Sequence, residues 1–350
     1  MNERFVFGPN ALIKKGCPRI LLATGSAIAG AVNSISRHGR GFVCLCLAMV
    51  FNSVIAADTY PTRPIDFIVP WGTGGGADYI GRPLAKLMAP TLGVSLPVIN
   101  MPGATGQTGI LKLKDSPADG YLIEEVTSET VLLLVTGRPH FDMADFVCLG
   151  IVDQQPAGLL VPTDSPLASW QDVLRAGKVR TLSIAFDGFG SSGDLIVKYL
   201  AKKEGLKLQL VPFDKPGERI ASVLGKHNDL LFTQPGDVLS YINSKQLKPI
   251  LLFADQRDSR FKDVPASKEF GYDASFMHFR AVFVKNGMEA QKRKLLRDAV
   301  DKAVLSSEYQ QTIASEYAIP DSYVPAAKAN QYISEWLNEA RRILSASGKK

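Results

Sequence analysis

From residue 65 onward the chain repeats one pattern: a short apolar run, a polar or glycine-rich turn, then a stretch with helical period. Ile65-Asp66-Phe67-Ile68-Val69 reads as a buried strand. Residues 78–92 follow as a helix with Ile80, Leu84, Leu87, Met88 and Leu92 on one face. Residues 96–99 are a second strand, 106–115 a helix and 121–126 a third strand. Later strand candidates lie at 184–186, 208–211, 230–232 and 249–253, with helices near 195–204 and 216–225. Strands alternating with helices require parallel sheets covered on both faces, so the fold class is α/β. The C-terminal stretch differs. Residues 290–305, 307–317 and 326–345 are all helical by period, and Tyr332, Trp336, Ala340 and Leu344 mark one face. That last helix reads as a solvated cover on one domain. Pro83, inside the first helix, is expected to distort a turn.

The formal charge of +6 suggests nucleic acid until it is located. Residues 1–57 carry six basic side chains against Glu3 alone, which leaves 34 basic and 33 acidic residues beyond them. A nucleic-acid partner therefore loses its support. Arg37, His38 and Arg40 precede the apolar run Phe42 to Val50, which continues through Val54-Ile55-Ala56-Ala57. A basic flank, a short apolar core and small terminal residues describe a secretory signal peptide. Cleavage is expected near Ala56 or Ala57, and residues 1–57 read as a leader containing that peptide. The product is expected in the periplasm. Cys17, Cys44 and Cys46 lie in the leader, so only Cys148 remains beyond it. No internal disulfide and no CxxC metal or redox pattern follow.

Several loops have the means to hold an anion. Trp71-Gly72-Thr73-Gly74-Gly75-Gly76-Ala77-Asp78 joins the first strand to the first helix. Its glycines let backbone N–H groups approach a ligand, and the helix behind adds partial positive charge. Asp78 is placed as the N-cap. The loop also fits GxGxxA, but Asn100-Met101-Pro102 stands where a dinucleotide site has its acid, and no GK[ST] is present. The second loop, Phe186-Asp187-Gly188-Phe189-Gly190-Ser191-Ser192-Gly193-Asp194, has the same assets plus hydroxyl donors. It does not fit GxSxG. Pro102-Gly103-Ala104-Thr105-Gly106 also precedes a helix, and Thr127-Ser128 ends the third strand as ligand contact or helix cap. His140, His227 and His278 have no ligand-like spacing and read as surface or structural. No nucleophile–base pair, metal cluster or cofactor fingerprint stands out, so neither an enzyme nor a cofactor is expected. A transcription regulator would need a DNA-binding module before residue 60, where the leader stands instead.

Tyr60-Pro61-Thr62-Arg63-Pro64-Ile65, the glycine loop ending in Asp78, Asn100 to Gly106, and Ala118-Asp119-Gly120-Tyr121 follow one another in order and spacing. Gly188 to Leu195, Val211-Pro212-Phe213, Asp229 to Phe232, Asp263-Val264-Pro265 and the helix around Glu335-Trp336 continue the series. As a set, across residues 58–346, they resemble the substrate-binding components of tripartite tricarboxylate transporters, the Bug family. The resemblance implies a type II periplasmic-binding-protein fold, with two α/β lobes, a ligand cleft between them and two chain crossovers. It places lobe 1 at 58–161 and 282–350, lobe 2 at 162–281, and the crossovers near Val161-Pro162 and Ala281-Val282. It implies a small organic carboxylate held by backbone N–H groups and ordered water from the two glycine loops, and membrane permease subunits as partners. Nothing requires more than a monomer. A binding protein that signals to a membrane receptor is the alternative.

The site expected on these grounds comprises Trp71, Thr73, Gly74, Gly75, Gly76, Asp78, Thr127, Ser128, Asp187, Gly190, Ser191, Ser192, Phe213 and Thr233. Departures from the family pattern are Asp194 where His is frequent, Asp214-Lys215 where Lys or Gly is, and Thr233 in place of an acid. Acids at Asp187, Asp194 and Asp214 either border the cleft, where they would repel a di-anion, or point to solvent. Trp71, Phe186, Phe189 and Phe213 are candidates for an apolar wall. The expected ligand has one carboxylate in the first lobe and an aromatic, amide or amine-bearing end in the second.

Overall fold

Where apolar runs are continuous, strands form; where they recur every three to four residues, helices cover those strands. The computed structural model describes residues 60–347, apart from 138, 214, 275, 316, 317, 320 and 321. The leader reading for 1–57 and the side chain of Asp214 therefore lie outside the described residues. Tyr60–Lys350 forms one compact unit built on two sheets.

The first sheet holds β1 (Asp66–Val69), β2 (Val98–Asn100), β3 (Leu122–Thr127), β4 (Phe146–Pro156), β10 (Met277–Lys285) and β11 (Val324–Pro325). Their order is β11-β4-β10-β3-β1-β2. The β1 strand pairs in parallel with β2 and β3, while β10 runs antiparallel to both β3 and β4. Helices α1 (Gly76–Leu92), α2 (Gln107–Asp115) and α3 (Ser128–Thr136) connect or follow the parallel strands. The second sheet holds β5 (Gly158–Pro162), β6 (Leu182–Phe186), β7 (Leu208–Pro212), β8 (Leu230–Thr233) and β9 (Leu247–Leu252), in the order β7-β6-β8-β5-β9. Its helices are α4 (Trp170–Val179), α5 (Ser192–Glu204), α6 (Pro216–Leu224) and the short α7 (Leu239–Asn243). Then α8 (Ala290–Val304), α9 (Ser307–Ser315) and α10 (Ala326–Ser347) complete the chain. The fold is the two-lobed α/β arrangement of periplasmic binding proteins.

The sheet changes differ from the sequence placement. The chain leaves the first sheet at Ala157, between β4 and β5, and returns between Leu252 and Met277. Val161-Pro162 instead ends β5, where a proline costs little because it closes the strand. Ala281-Val282 lies inside β10, bracketed by two register shifts against β4. The irregularity belongs to a bulged strand, not to a crossover.

Two further expectations are corrected. Helix α1 runs unbroken through Pro83 and Pro90. Pro83 cannot donate to the carbonyl of Tyr79, but Tyr79 is 52% exposed, so water can take that bond. Helix α10 is more than a cover on one lobe. Its buried face, Ala329, Ile333, Trp336, Leu337, Ala340 and Ile343, packs on β4, α3 and α5. Tyr332 donates to Gln154 Oε1 at 2.6 Å and Trp336 Nε1 to the Met277 carbonyl at 2.7 Å, both in the first sheet. Lys202 of α5 donates to the Ala346 carbonyl at 2.9 Å, so the helix is tied to the second lobe as well. Its apolar stripe continues to the last turn, which is why one helix serves both.

Candidate functional site

The glycine loops expected from sequence face one another across a cleft of about 430 Å³ counted to its open mouth. Trp71, Gly75, Gly76, Ala77 and Thr127 line it from the first lobe, and Asp187, Phe213, Pro216 and Arg219 from the second. The Cβ position of Gly75 would stand 3.2 Å from Pro216, at the start of α6 in the second lobe.

The first loop is built around Asp78, but not as an N-cap. Helix α1 begins two residues earlier than expected, at Gly76, with Gly75 as N-cap and no side-chain cap. Glycine at 74 permits φ +78°, and the turn it makes brings Gly74 N to 3.0 Å from Asp78 Oδ2. Arg82 Nε and Asn100 Nδ2 also donate to Asp78, at 2.9 and 2.8 Å. Burial pushes this carboxyl up, but the bonds from Arg82, Gly74 and Asn100 outweigh it and hold it below the usual carboxylate range. Asp78 therefore braces the loop from behind. Trp71 is fixed by its Nε1, which donates to Thr127 Oγ1 at 3.2 Å. The amides at the start of α1 are left without a side-chain acceptor, and Gly76 and Ala77 border the cleft.

Other expected residues are placed differently. Thr73 is exposed and donates to Asn100 Oδ1. Ser128 is buried, with no hydrogen-bond partner for its hydroxyl among the described residues. Thr233 is buried and accepts from Arg219 at 3.4 Å. Ser191 is the N-cap of α5, its side chain accepting from Asp194 N. Asp194 does not project into the cleft: it is buried, accepts from Gly190 N at 3.1 Å and pairs with Lys198. Phe186 is core, and Phe189 is 60% exposed against it, so Trp71 and Phe213 are what remain of the apolar wall.

Sequence reading missed half the cleft. Glu129, Arg219, Gln234, Asp237, His278 and Arg280 also line it. Arg280 is 1% exposed and lies 2.9 Å from Asp237, 3.6 Å from Glu125 and against Asp153. Burial would lower its pKa, yet Asp237, Asp153 and Glu125 hold it above the ordinary arginine value. Asp237 belongs to the second lobe and Arg280 to β10, so this pair spans the cleft. Glu129, in the first turn of α3, reaches Ser192 across the same cleft. Burial, then the nearby Asp187 carboxyl, pushes Glu129 up to about 8. Burial also raises Asp187, against the pull of Arg219. His278, read from sequence as surface or structural, borders the cleft; burial and then Arg280 hold it well below the usual histidine range, so it is neutral.

At Gly76 the two lobes come into close contact. A Cβ there would lie 1.7 Å from Asp237 Oδ1 and 2.5 Å from an Arg280 nitrogen. Gly76→Ala must therefore displace Asp237 from Arg280 and hold the lobes apart. We expect ligand affinity to fall by roughly tenfold or more, with the fold intact by circular dichroism. Unchanged affinity in calorimetry would show that the lobes close without this contact.

Two α/β lobes joined by two crossovers, with a polar cleft between glycine-rich helix starts, define a solute-binding protein of the periplasmic-binding-protein class. Residues 80–349 match the tripartite tricarboxylate transporter family receptor, TctC, and the chain belongs to that family. It is 26% identical over 303 residues to the protein BugT of Bordetella pertussis, covering 85% of this chain and 93% of that one. A TctC solute-binding protein from Polaromonas, solved without ligand, superposes with a TM-score of 0.62 at 25% identity, covering 82% and 99% of the two chains. MatC of Rhodopseudomonas palustris, solved with bound malate, gives 0.75 at 20% identity, covering 81% and 100%. Members of the family are periplasmic solute-binding proteins, a non-enzymatic role.

Proposed function

We propose that this protein captures a small organic carboxylate in the periplasm and delivers it to the permease subunits of a tripartite tricarboxylate-type transporter. The observation that carries the reading is the start of α1, whose first amides have no side-chain cap and border the cleft. A carboxylate there accepts backbone N–H bonds and gains from the helix dipole, worth about 0.3–1 kcal/mol and up to ~2 kcal/mol where partly buried. The malate of MatC supports the ligand class. Residues 1–57 serve as the leader, with cleavage near Ala56 or Ala57. The two sheets are the centres of two lobes, and a ligand that touches both favours their closed arrangement.

The test is a thermal-shift and tryptophan-fluorescence panel of mono- and dicarboxylates, with sugars and nicotinamides as controls. Trp71 lines the cleft and reports occupancy directly. A carboxylate at 100 times its Kd is expected to add about 2.7 kcal/mol of stability. A response confined to sugars or nicotinamides would overturn the carboxylate reading.

A further inference from the structure

We infer that Glu129 is a built-in carboxylate that fills the second lobe's anion position, so that the cleft selects a ligand with one carboxylate and an uncharged, amide-like far end. This deepens the carboxylate-capture reading and rests on it.

The two glycine loops look alike in sequence, but their helix starts are in different states. At α1 no side chain among the described residues caps the first amides. At α5 the positions are taken. Ser191 Oγ accepts from Asp194 N at 3.3 Å; the bond from Gly190 N to Asp194 Oδ2 at 3.1 Å has its counterpart at α1, from Gly74 N to Asp78 Oδ2. Glu129, arriving from α3 of the first lobe, accepts from Ser192 N at 2.7 Å through Oε2 and pairs with Ser192 Oγ at 2.5 Å through Oε1. Glu129 is 2% exposed, so this is a buried contact and not a passing surface pair. A carboxylate that accepts one backbone N–H and one hydroxyl at a helix start is the arrangement a ligand's own carboxylate would adopt. Here the chain supplies it. The neighbouring bond from Thr136 Oγ1 of α3 to the Gly190 carbonyl, at 2.6 Å, holds the same two elements together.

The charges of the cleft agree. A second ligand carboxylate would need a cation, and two guanidinium groups line the site. Arg280 already faces Asp153, Asp237 and Glu125. Arg219 lines the cleft with Glu129 and Asp187, and its charge opposes the rise of both carboxyls. Both guanidinium groups of the cleft therefore have acidic neighbours, and neither is left free for a second ligand carboxylate. What the lobe does offer is one donor and one acceptor: Arg219 Nε and Asp187 Oδ1 are buried atoms with no hydrogen-bond partner among the described residues. A carboxamide carries the complementary pair, an oxygen that can accept from Arg219 and a nitrogen that can donate to Asp187. Burying unpaired polar atoms is costly, so a ligand that pairs both is favoured over one that pairs neither.

The test is calorimetry with matched pairs of equal length: succinate, glutarate and adipate, each against its monoamide. For the best-binding length, wild type is expected to prefer the monoamide by roughly tenfold or more, since Glu129 already occupies the Ser192 amide that a second carboxylate would use. Glu129→Ser frees the Ser192 amide for a second carboxylate and is expected to reduce that preference by roughly tenfold. A wild type that binds the di-acid as well as its monoamide overturns the inference, and that measurement needs no variant. An unchanged ratio in folded Glu129→Ser overturns it too. Either result leaves the carboxylate reading standing. Silence of wild type toward every carboxylate removes that reading and this one with it.

Discussion

Arg280→Ala is expected to destabilise the protein by about 3–5 kcal/mol, the largest loss of any single substitution considered. Arg280 sits in β10, 1% exposed, where water cannot solvate a charge. It is tolerated because Asp153, Asp237 and Glu125 surround it. Truncation removes the cation and leaves the acids. Burial alone already raises Asp153 and Glu125, and Arg280 is the group that opposes that rise. Without it these carboxyls must either stay charged and unpaired or take up protons. Arg280→Lys should recover part of the loss, since one ammonium keeps the charge but cannot reproduce a planar fork addressing several carboxylates. Urea unfolding gives the measurement: the midpoint should fall with the slope unchanged. A loss below about 1 kcal/mol would mean that the cluster contributes no more than an exposed ion pair. Because Asp237 comes from the second lobe, the same variant should also loosen closure.

The position of Arg280 explains what could be read in the sequence and what could not. Strands β1, β6 and β8 were legible because a strand buried on both faces is a largely continuous apolar run, as in Ile184-Ala185-Phe186. Strands β4 and β10 were not. Their interiors carry Asp153-Gln154-Gln155 and His278 with Arg280, which break the apolar signal of a strand. Asp153 and Arg280 belong in the sheet because they pair with each other across it, and they are 127 residues apart. No local pattern carries that information. The glycine loops were found because turn chemistry is local. Glu129 was missed because its meaning depends on Ser192, 63 residues further on. One signal was available. Glu124, Glu125 and Glu129 fall in or beside a segment whose neighbours read as buried strand, and acids in such a place need a reason. Asp78 teaches the same lesson at short range. Its type and place suggest a cap, but the hydrogen bond runs backward to Gly74 because Gly74 and Gly75 let the helix start sooner.

Those buried acids set the second large effect, on pH. Stability is expected to be greatest near pH 5 and to fall as pH rises toward 8. Burial raises Glu124, Glu125, Glu129, Asp153 and Asp187 above their ordinary values, Glu129 to about 8. In the unfolded chain the same groups ionise near pH 4. Between the two values the folded state binds more protons than the unfolded one, so raising pH favours unfolding. Each such group then removes up to about 1.4 kcal/mol per pH unit. The opposite limb comes from carboxyls held low, among them Glu269, drawn down to about 2 by Arg257. Their contribution is present above the unfolded value and is lost as pH falls, so stability declines again below about 4. Thermal melts from pH 3 to 9 would trace both limbs. Glu124 allows the alkaline limb to be isolated. It is fully buried, both its oxygens lack a hydrogen-bond partner among the described residues, and Glu125 raises it further after burial. Glu124→Met replaces an unpaired carboxyl with an apolar side chain of similar length. It should stabilise by about 1–3 kcal/mol at pH 8 and by less at pH 5, where the carboxyl is neutral in the folded state. An equal gain at both values would mean that the carboxyl's charge is not what limits stability. A loss at both would mean that its shape is needed beneath Gly109, whose Cβ position lies 2.5 Å from Glu124 Oε1.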